Sequence, residues 1–436
     1  MLPGVLAALT LTACGASSDG SAVIRVDSTR TFQTIDGWEA SESFGWSLPP
    51  AMMDSLLRVA VNDLGITRLR LSAPGNMIES RDTVTMPEEV RLGTNDDDDP
   101  HHLNPAGFQW ELFDRQTRLF AIPMKRLVEA RGEPFRLVLT YVGFRPTSAF
   151  QQRNTPEYVE VIMAMLTRLR DTLGIVPDYF EPRLEPNNGR TVVTGTRLGE
   201  LLVAARRAAR ADGFTGLRYV VPSTSVAQQA VPYLEALLRV PDAGRDLAEF
   251  SYHRYAPAGA SVLTGIRDAG ARHGLPTAML EFQRGTEKEL MEDLTLADVV
   301  AWSRFSLAGP YGGPEAGGQY FYVDPVAKTF RYRASTWPLR QFFHYVRPGA
   351  VRVEAATTNR RSMPAAFRRP DGRFVVVVNT RGGTLQFRGL QPGRYEVSAA
   401  SPAHPPAILD TVAADPAGRL AVTVPWSGTI TVAALR

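Results

Sequence analysis

The chain has 436 residues, enough for two or three domains or for one large barrel with an accessory module. Its 44% hydrophobic and 21% charged residues are ordinary for a globular protein and exclude a disordered, collagen-like or disulfide-stapled chain. Lys plus Arg number 48 against 45 Asp plus Glu, for a net charge of +3, and no long basic run is interleaved with aromatics, which argues against a nucleic-acid partner.

The one cysteine, Cys14, allows neither an intramolecular disulfide nor a thiolate metal cage. It closes an apolar stretch from Val5 to Ala13, in the order Leu11-Thr12-Ala13-Cys14-Gly15, and a Ser/Gly-rich segment follows. This arrangement resembles a bacterial lipoprotein signal with its lipobox. The resemblance implies acylation of Cys14, a place in the cell envelope or outside the cell, and membrane contact through the lipid alone. The run is too short to span a bilayer, which takes about 20 residues. It departs from the usual signal in one respect, because no Lys or Arg precedes it.

Residues 1–22 are therefore read as signal and linker. After them, Val23 to Val26 has the pattern of a strand. From about residue 31 short apolar strands alternate with helices: Gln33–Glu39, Thr67–Ser72, Arg136–Tyr141, Tyr179–Leu184, Arg218–Pro222, Phe250–Tyr255, Thr277–Glu281 and Gly318–Val323. The clearest helix has Thr155 at its N-cap and Pro156 in its first turn. It sets Val159, Ile162, Met163, Leu166, Leu169 and Leu173 on one face before Gly174. Others are expected near 51–64, 196–212, 231–239 and 261–273. Eight strands alternating with helices predict an α/β fold, a (β/α)8 TIM barrel over 23–345. Beyond about residue 346 helical periodicity stops and β-branched runs take over at Phe374–Asn379, Thr384–Phe387, Tyr395–Ala399, Leu420–Val424 and Thr429–Ala433. Pro370-Asp371-Gly372 and Gln391-Pro392-Gly393 supply turns. This predicts an all-β sandwich over 346–436, paired with the strand before the barrel.

A barrel presents its functional residues at the carboxyl ends of its strands. Strand four ends in Glu185-Pro186-Asn187-Asn188 and strand seven in Leu280-Glu281. Two carboxylates so placed suit glycosidic cleavage: one protonates the leaving oxygen and the other attacks the anomeric carbon or activates water. The carboxyl groups stand about 5 to 5.5 Å apart for retention and about 6.5 to 9.5 Å for inversion. In Ser251-Tyr252-His253-Arg254-Tyr255, alternation can send His253 and Tyr255 into the same pocket. Arg70, at the end of strand two, suits either a carboxylate partner or a substrate contact. Trp38, Trp46, Trp110 and Tyr141 are candidate platforms for a sugar's apolar face. Glu181 lies deeper in the barrel. The acidic run 95–99 with His101 and His102 reads as a solvated loop. No metal or cofactor is expected: the six His lack zinc-site spacing, and no nucleotide loop or Gly-x-Ser-x-Gly elbow is present.

These residues resemble glycoside hydrolase family 30, or a closely related family of the same clan of retaining (β/α)8 glycosidases. Phe32-Gln33-Thr34-Ile35-Asp36-Gly37-Trp38-Glu39-Ala40-Ser41 is similar to its first barrel strand, and Ser251-Tyr252-His253-Arg254-Tyr255 fits its sixth. The segment Leu339 to Arg352, with Val346-Arg347-Pro348-Gly349, is similar to its passage into the sandwich. The resemblance implies a β-linked oligo- or polysaccharide substrate, Glu185 as general acid/base and Glu281 as nucleophile. Two positions depart from the family. Leu184 stands where the family has an Asn that contacts the sugar 2-hydroxyl; either Asn187, Asn188 or another group fills that role, or the substrate lacks the contact, or ordinary hydrolase activity is lost. Glu39 stands where the family often has Gly. Leu184 also keeps open an alternative, a non-catalytic glycan-binding surface lipoprotein on a retired barrel.

Overall fold

The computed structural model describes residues 22–42, 48–73, 110–144, 148–189, 192–313 and 317–435. Cys14, Trp46, the acidic run 95–99, His101 and His102 lie outside the described residues.

Strand β1 (Ala22–Thr34) precedes a closed parallel barrel of eight strands: β2 (Gly37–Ser41), β3 (Arg68–Ala73), β4 (Arg136–Tyr141), β5 (Tyr179–Glu181), β6 (Arg218–Thr224), β7 (Leu247–His253), β8 (Thr277–Glu281) and β9 (Val299–Ser306). A three-stranded sheet follows, formed by β10 (Ala308–Gly309), β11 (Phe321–Asp324) and β12 (Thr329–Tyr332). The chain ends in β13 (Val351–Thr357), β14 (Met363–Arg368), β15 (Phe374–Thr380), β16 (Gly383–Arg388), β17 (Gly393–Ser401), β18 (His404–Ala414), β19 (Leu420–Val424) and β20 (Gly428–Ala434). With β1 these make one nine-stranded sheet that folds over its own core. This is the TIM barrel with a C-terminal sandwich that takes a strand from before the barrel.

The sequence reading needs one correction in the barrel. The eighth barrel strand is β9, whereas Gly318–Val323 overlaps β11 of the small sheet. The strand was hidden because only Ala297 and Asp298 separate it from the helix Glu287–Leu296, with neither Gly nor Pro to mark the turn. Asp298 makes that turn with a left-handed φ of 53°, a conformation Asp tolerates better than most residues. Two smaller differences concern ends: the N-cap of the helix Thr155–Thr167 is Asn154, and Gln33 and Thr34 belong to β1.

The sandwich is joined to the barrel by packing on both faces of its central strands. β15 alternates Val376 and Val378 into the sandwich core with Val375 and Val377 into the core shared with the barrel. The helix Trp337–Phe343 fills the seam: Gln341 donates to Ser398 Oγ at 3.2 Å, and Thr431 donates to the Gln341 carbonyl at 2.8 Å. Trp38 closes the same seam from the barrel side. Its indole lies flat on Phe343, with ring centroids 4.6 Å apart, and donates to the Val346 carbonyl at 2.7 Å.

Truncation after Val346 would uncover the side of the helix Trp337–Phe343 that packs on the sandwich through Gln341, and leave β1 without its partner β13. The shortened chain is expected to aggregate on expression, as size-exclusion chromatography would reveal, and a soluble barrel with an unchanged melting temperature would refute this account.

Candidate active site

The barrel lumen holds its charges in layers. Lowest is Arg68, fully buried, which meets Glu249 through two hydrogen bonds of 2.5 and 2.9 Å, Glu39 at 3.1 Å and Asp36 at 2.8 Å. Burial raises Glu39 to about 7, with Arg68 and Arg70 opposing and Glu249 and Glu181 adding to the shift. Glu39 is thus a wall of the barrel floor with no opening to a ligand. Arg70 lies two residues further along β3, on the same inward face. It donates to Glu281 and, at 2.9 Å, to Ser41. Burial works against its charge, and Glu281, Glu181 and Glu39 outweigh burial, so the guanidinium is held more firmly protonated than usual.

Two local irregularities aim the carboxylates. In the ladder between β7 and β8, Tyr252 pairs with Met279 but His253 pairs with Glu281, so Leu280 is an inserted residue. Ala278 and Leu280 both face the lumen, and strict alternation would turn Glu281 outward; the bulge returns it to the inside beside His253. Glu185 lies four residues past the end of β5 in a left-handed conformation, φ 48°, immediately before Pro186. Its N–H donates to the Ser223 carbonyl at 3.1 Å, and its carbonyl accepts from the Asn188 N–H at 2.9 Å. A non-glycine residue held so costs about 1–3 kcal/mol, which the surrounding hydrogen bonds must offset.

The two carboxylates and His253 converge: one oxygen of Glu185, one of Glu281 and a ring nitrogen of His253 lie within 4.8 Å of one another. Glu281 accepts from the Tyr255 hydroxyl at 2.6 Å and from Arg70. Glu185 is 2.8 Å from His253 Nδ1 and accepts from the Asn188 amide at 2.7 Å. Burial opposes the Glu185 charge, but the hydrogen bond and charge of His253, with Asn188 and Arg70, hold its carboxyl below the usual range. Burial likewise opposes charging His253, and Glu185 and Glu281 together raise its pKa. The pair therefore shares a proton that sits mainly on the imidazole. The same three side chains have the donor types of a cation site, yet the guanidinium on Glu281 and the amide on Glu185 already supply positive charge and donors there.

Among the other residues singled out from the sequence, Asn187 is committed elsewhere: its amide donates to Ser225 Oγ at 2.9 Å and its oxygen accepts from the Ser225 N–H at 2.8 Å. Trp38 and Tyr141 are fully buried and offer no ring face to a sugar, which corrects their reading as platforms. Tyr141 donates to Gln151 at 2.7 Å and packs edge-on against Tyr158. Trp110 is only partly buried. It opens an outer helix, 5.2 Å beneath the Arg168 guanidinium and tilted against Phe113. Leu184 is buried, its N–H spent on the Tyr141 carbonyl at 2.9 Å. Sequence reasoning missed the setting of Arg183. It is buried against Phe144 with its guanidinium on the Leu184 carbonyl, and burial lowers its pKa to about 10.

A second cavity, of about 840 Å³, opens at the opposite mouth of the barrel, lined in part by Phe32, Asp36, Arg136, Tyr179 and Asp298. Several of its charges pair internally, Arg136 with Asp36 and Asp178, and Asp298 with Arg352. The convergent carboxylates and the proton-sharing pair are at the carboxyl mouth.

No protein-family profile matches the chain, and no curated protein sequence does. Solved structures do match. The catalytic domain of a GH30 xylanase C from Talaromyces cellulolyticus superposes with a TM-score of 0.72 at 16% identity, over 95% of this chain and 100% of that one. The chain has the fold of the family 30 glycoside hydrolases. A GH30 endoxylanase from Clostridium papyrosolvens gives 0.68 at 15% identity, over 95% and 100% of the two chains. An endo-β1,6-glucanase gives 0.65 at 14%, over 95% and 93%.

Replacing Arg70 by Met should leave Glu281, Glu181 and Glu39 buried without their shared cation, at a cost of about 3–5 kcal/mol. The Glu39 carboxyl, already raised to about 7 by burial, would rise further without Arg70, so the penalty is small where Glu39 is protonated in both proteins and grows as pH climbs past about 7. The drop in melting temperature should be larger at pH 8 than at pH 5, and equal drops at the two pH values would contradict the assignment.

Proposed function

We propose that the chain is a retaining glycoside hydrolase that cleaves a β-linked glycan, with Glu281 as nucleophile and Glu185 as general acid/base. The observation that carries this reading is the approach of the two carboxylates to within 4.8 Å at the carboxyl mouth of the barrel. That is compatible with the short spacing of double displacement and falls short of the separation of about 6.5 to 9.5 Å that inversion uses. The xylanase and glucanase neighbours support a β-linked polysaccharide as the substrate class.

In the first step Glu281 Oε attacks the anomeric carbon as the glycosidic C–O bond breaks, and Glu185 delivers a proton to the departing oxygen. In the second, Glu185 takes a proton from water, whose oxygen attacks the same carbon and releases Glu281. Arg70 and Tyr255 hold Glu281 in place through their hydrogen bonds. Because the Glu185–His253 pair carries one proton between them, His253 keeps the acid supplied at a pH where an isolated Glu would have lost its proton. Asn188, on Glu185 Oε2, is the amide placed at the acid/base; Leu184 contributes no donor. Lipid attachment at Cys14, and with it a place in the cell envelope, belongs to the same proposal. Among the described residues no helix is long and apolar enough to cross a membrane.

Hydrolysis of β-glucan, xylan, galactan and aryl β-glycosides tests the reading, and binding without turnover across that panel would favour a glycan-binding protein instead. Glu281→Ala should abolish turnover. Glu185→Ala should slow substrates with poor leaving groups by about 10²–10⁴-fold while sparing activated aryl glycosides; equal activity in both variants and the parent would defeat the assignment.

His253→Asn removes the partner that stores the proton. The alkaline limb of the kcat/KM profile, set in the parent by the raised His253 pKa, should shift to the titration of Glu185 alone, a carboxyl that burial pushes up once the partner holding it down is gone. An unmoved limb would show that His253 has only a structural part.

A further inference from the structure

The sandwich is markedly basic: residues 346–436 hold twelve Arg and five Asp or Glu, although the whole chain is only +3. Part of that charge gathers at one end of the sheet. Four connections meet there, 358–362, 380–383, 401–404 and 425–428. Ser362 Oγ is 3.4 Å from Thr380 Oγ1, Ser427 donates to the Thr380 carbonyl at 3.3 Å, and His404 stacks on Trp426 at 4.5 Å. Between them they carry Arg360, Arg361, Arg381 and His404 and not one carboxylate. All four side chains are exposed, and among the described residues none of the three arginines has an ion-pair partner. On the adjoining face Arg25 and Arg388 sit side by side in the β1–β16 ladder, a like-charge pairing that a sheet ordinarily avoids.

This end has two further properties. It is where the chain enters the fold: the Val23 N–H donates to Thr358 Oγ1 at 3.1 Å, and Ala22 opens β1. Cys14 is eight residues away, so an extended chain places its sulfur no more than about 28 Å from Ala22. It is also on the catalytic side of the barrel. Asn379, one residue before the 380–383 connection, donates to the carbonyl of Glu287 at 2.9 Å, and Glu287 opens the helix that follows Glu281.

We propose that this end of the sandwich docks on an anionic phospholipid surface and so turns the catalytic mouth toward the membrane. Arg360, Arg361 and Arg381 meet the lipid phosphates, for which guanidinium geometry is suited, and Trp426 lies at the headgroup level. A neutral glycan fits this surface poorly, because the connections have no carboxylate to accept sugar hydroxyls. The inference deepens the envelope reading and rests on it: a short tether from Cys14 would hold this same end against the bilayer. Substrate would then be glycan close to, or attached to, the membrane.

The test uses a chain beginning at Gly15, which keeps every described element and lacks both the apolar leader and the acylated residue. It should float with vesicles of phosphatidylcholine and phosphatidylglycerol in 7:3 ratio at low salt, and detach from pure phosphatidylcholine or at high salt. Arg360→Glu, Arg361→Glu and Arg381→Glu together should weaken binding about tenfold or more, whereas Arg368→Glu with Arg394→Glu, at the other end of the sheet, should not. Because this chain has no other cysteine, Ser427→Cys can carry a polarity-sensitive dye, whose emission should shift on vesicles while the same dye at Asp371→Cys does not. Absence of vesicle binding, binding unaltered by the triple reversal, or retention by soluble polygalacturonate without vesicle binding would each overturn the proposal. Incorporation of labelled fatty acid at Cys14 in the full chain reports the anchor separately, so a missing anchor and a missing docking surface give different results.

Discussion

Charge compensation inside the barrel is the constraint on which the site depends. Six carboxylates, those of Asp36, Glu39, Glu181, Glu185, Glu249 and Glu281, line the lumen and its two mouths, and burying so many acids is costly without paired cations. Arg68 and Arg70, stacked two residues apart on β3, supply those cations. Arg68 neutralises the floor and Arg70 the layer above it. Only the top layer, where Glu281 shares its charge with Tyr255 and Arg70, is left with capacity for chemistry. Arg70 therefore positions Glu281, bracing its carboxylate from β3 while it also holds Ser41.

Above that layer the two carboxylates are held by different devices. Glu281 is brought inward by one inserted residue, Leu280, in a ladder that is otherwise regular. Glu185 is held by a strained backbone whose N–H and C=O are both tied down. One is fixed by the barrel itself, and the other by a short irregular segment that leans on β6 through Ser223. In the proposed mechanism the nucleophile needs a rigid mount, while the acid, which alternates between donating and accepting a proton, needs a partner to share it with. His253 meets that need from the strand between them. Its neighbour Tyr252 faces the other way and donates to Asp293 at 2.7 Å; Asp293 also accepts from Trp302 and Arg254, and burial raises its pKa to about 6. That cluster locks β7 to the outer helix and so fixes the height of His253.

The sandwich joins this frame through shared core. β15 is buried on both faces, and Trp38 packs on the helix that leads into the sandwich, so β1, the barrel and the C-terminal sheet close on one another. The packing also sets orientation: with β1 running from the catalytic side to the opposite mouth, the start of the described chain and the carboxylate pair lie on the same side of the molecule.

The amino-acid sequence by itself determined the architecture and the chemical partners. Alternating strand and helix periods gave the barrel, the loss of helical period after 346 gave the sandwich, and strand ends pointed to Glu185, Glu281, His253 and Tyr255, because these are local patterns of burial and polarity. It could not supply β9, whose turn uses Asp298 in place of Gly. Nor could it separate Trp38 and Tyr141, which are core, from aromatics that face a ligand, since a ring looks the same in the sequence whichever side of a strand is covered. Only the tertiary structure decided that Arg70 belongs to Glu281 and Arg68 to the floor, that Asn188 and not Asn187 reaches Glu185, and that a bulge turns Glu281 inward. Each of those depends on contacts between strands far apart in the chain, where a shift of one residue reverses the direction of a side chain.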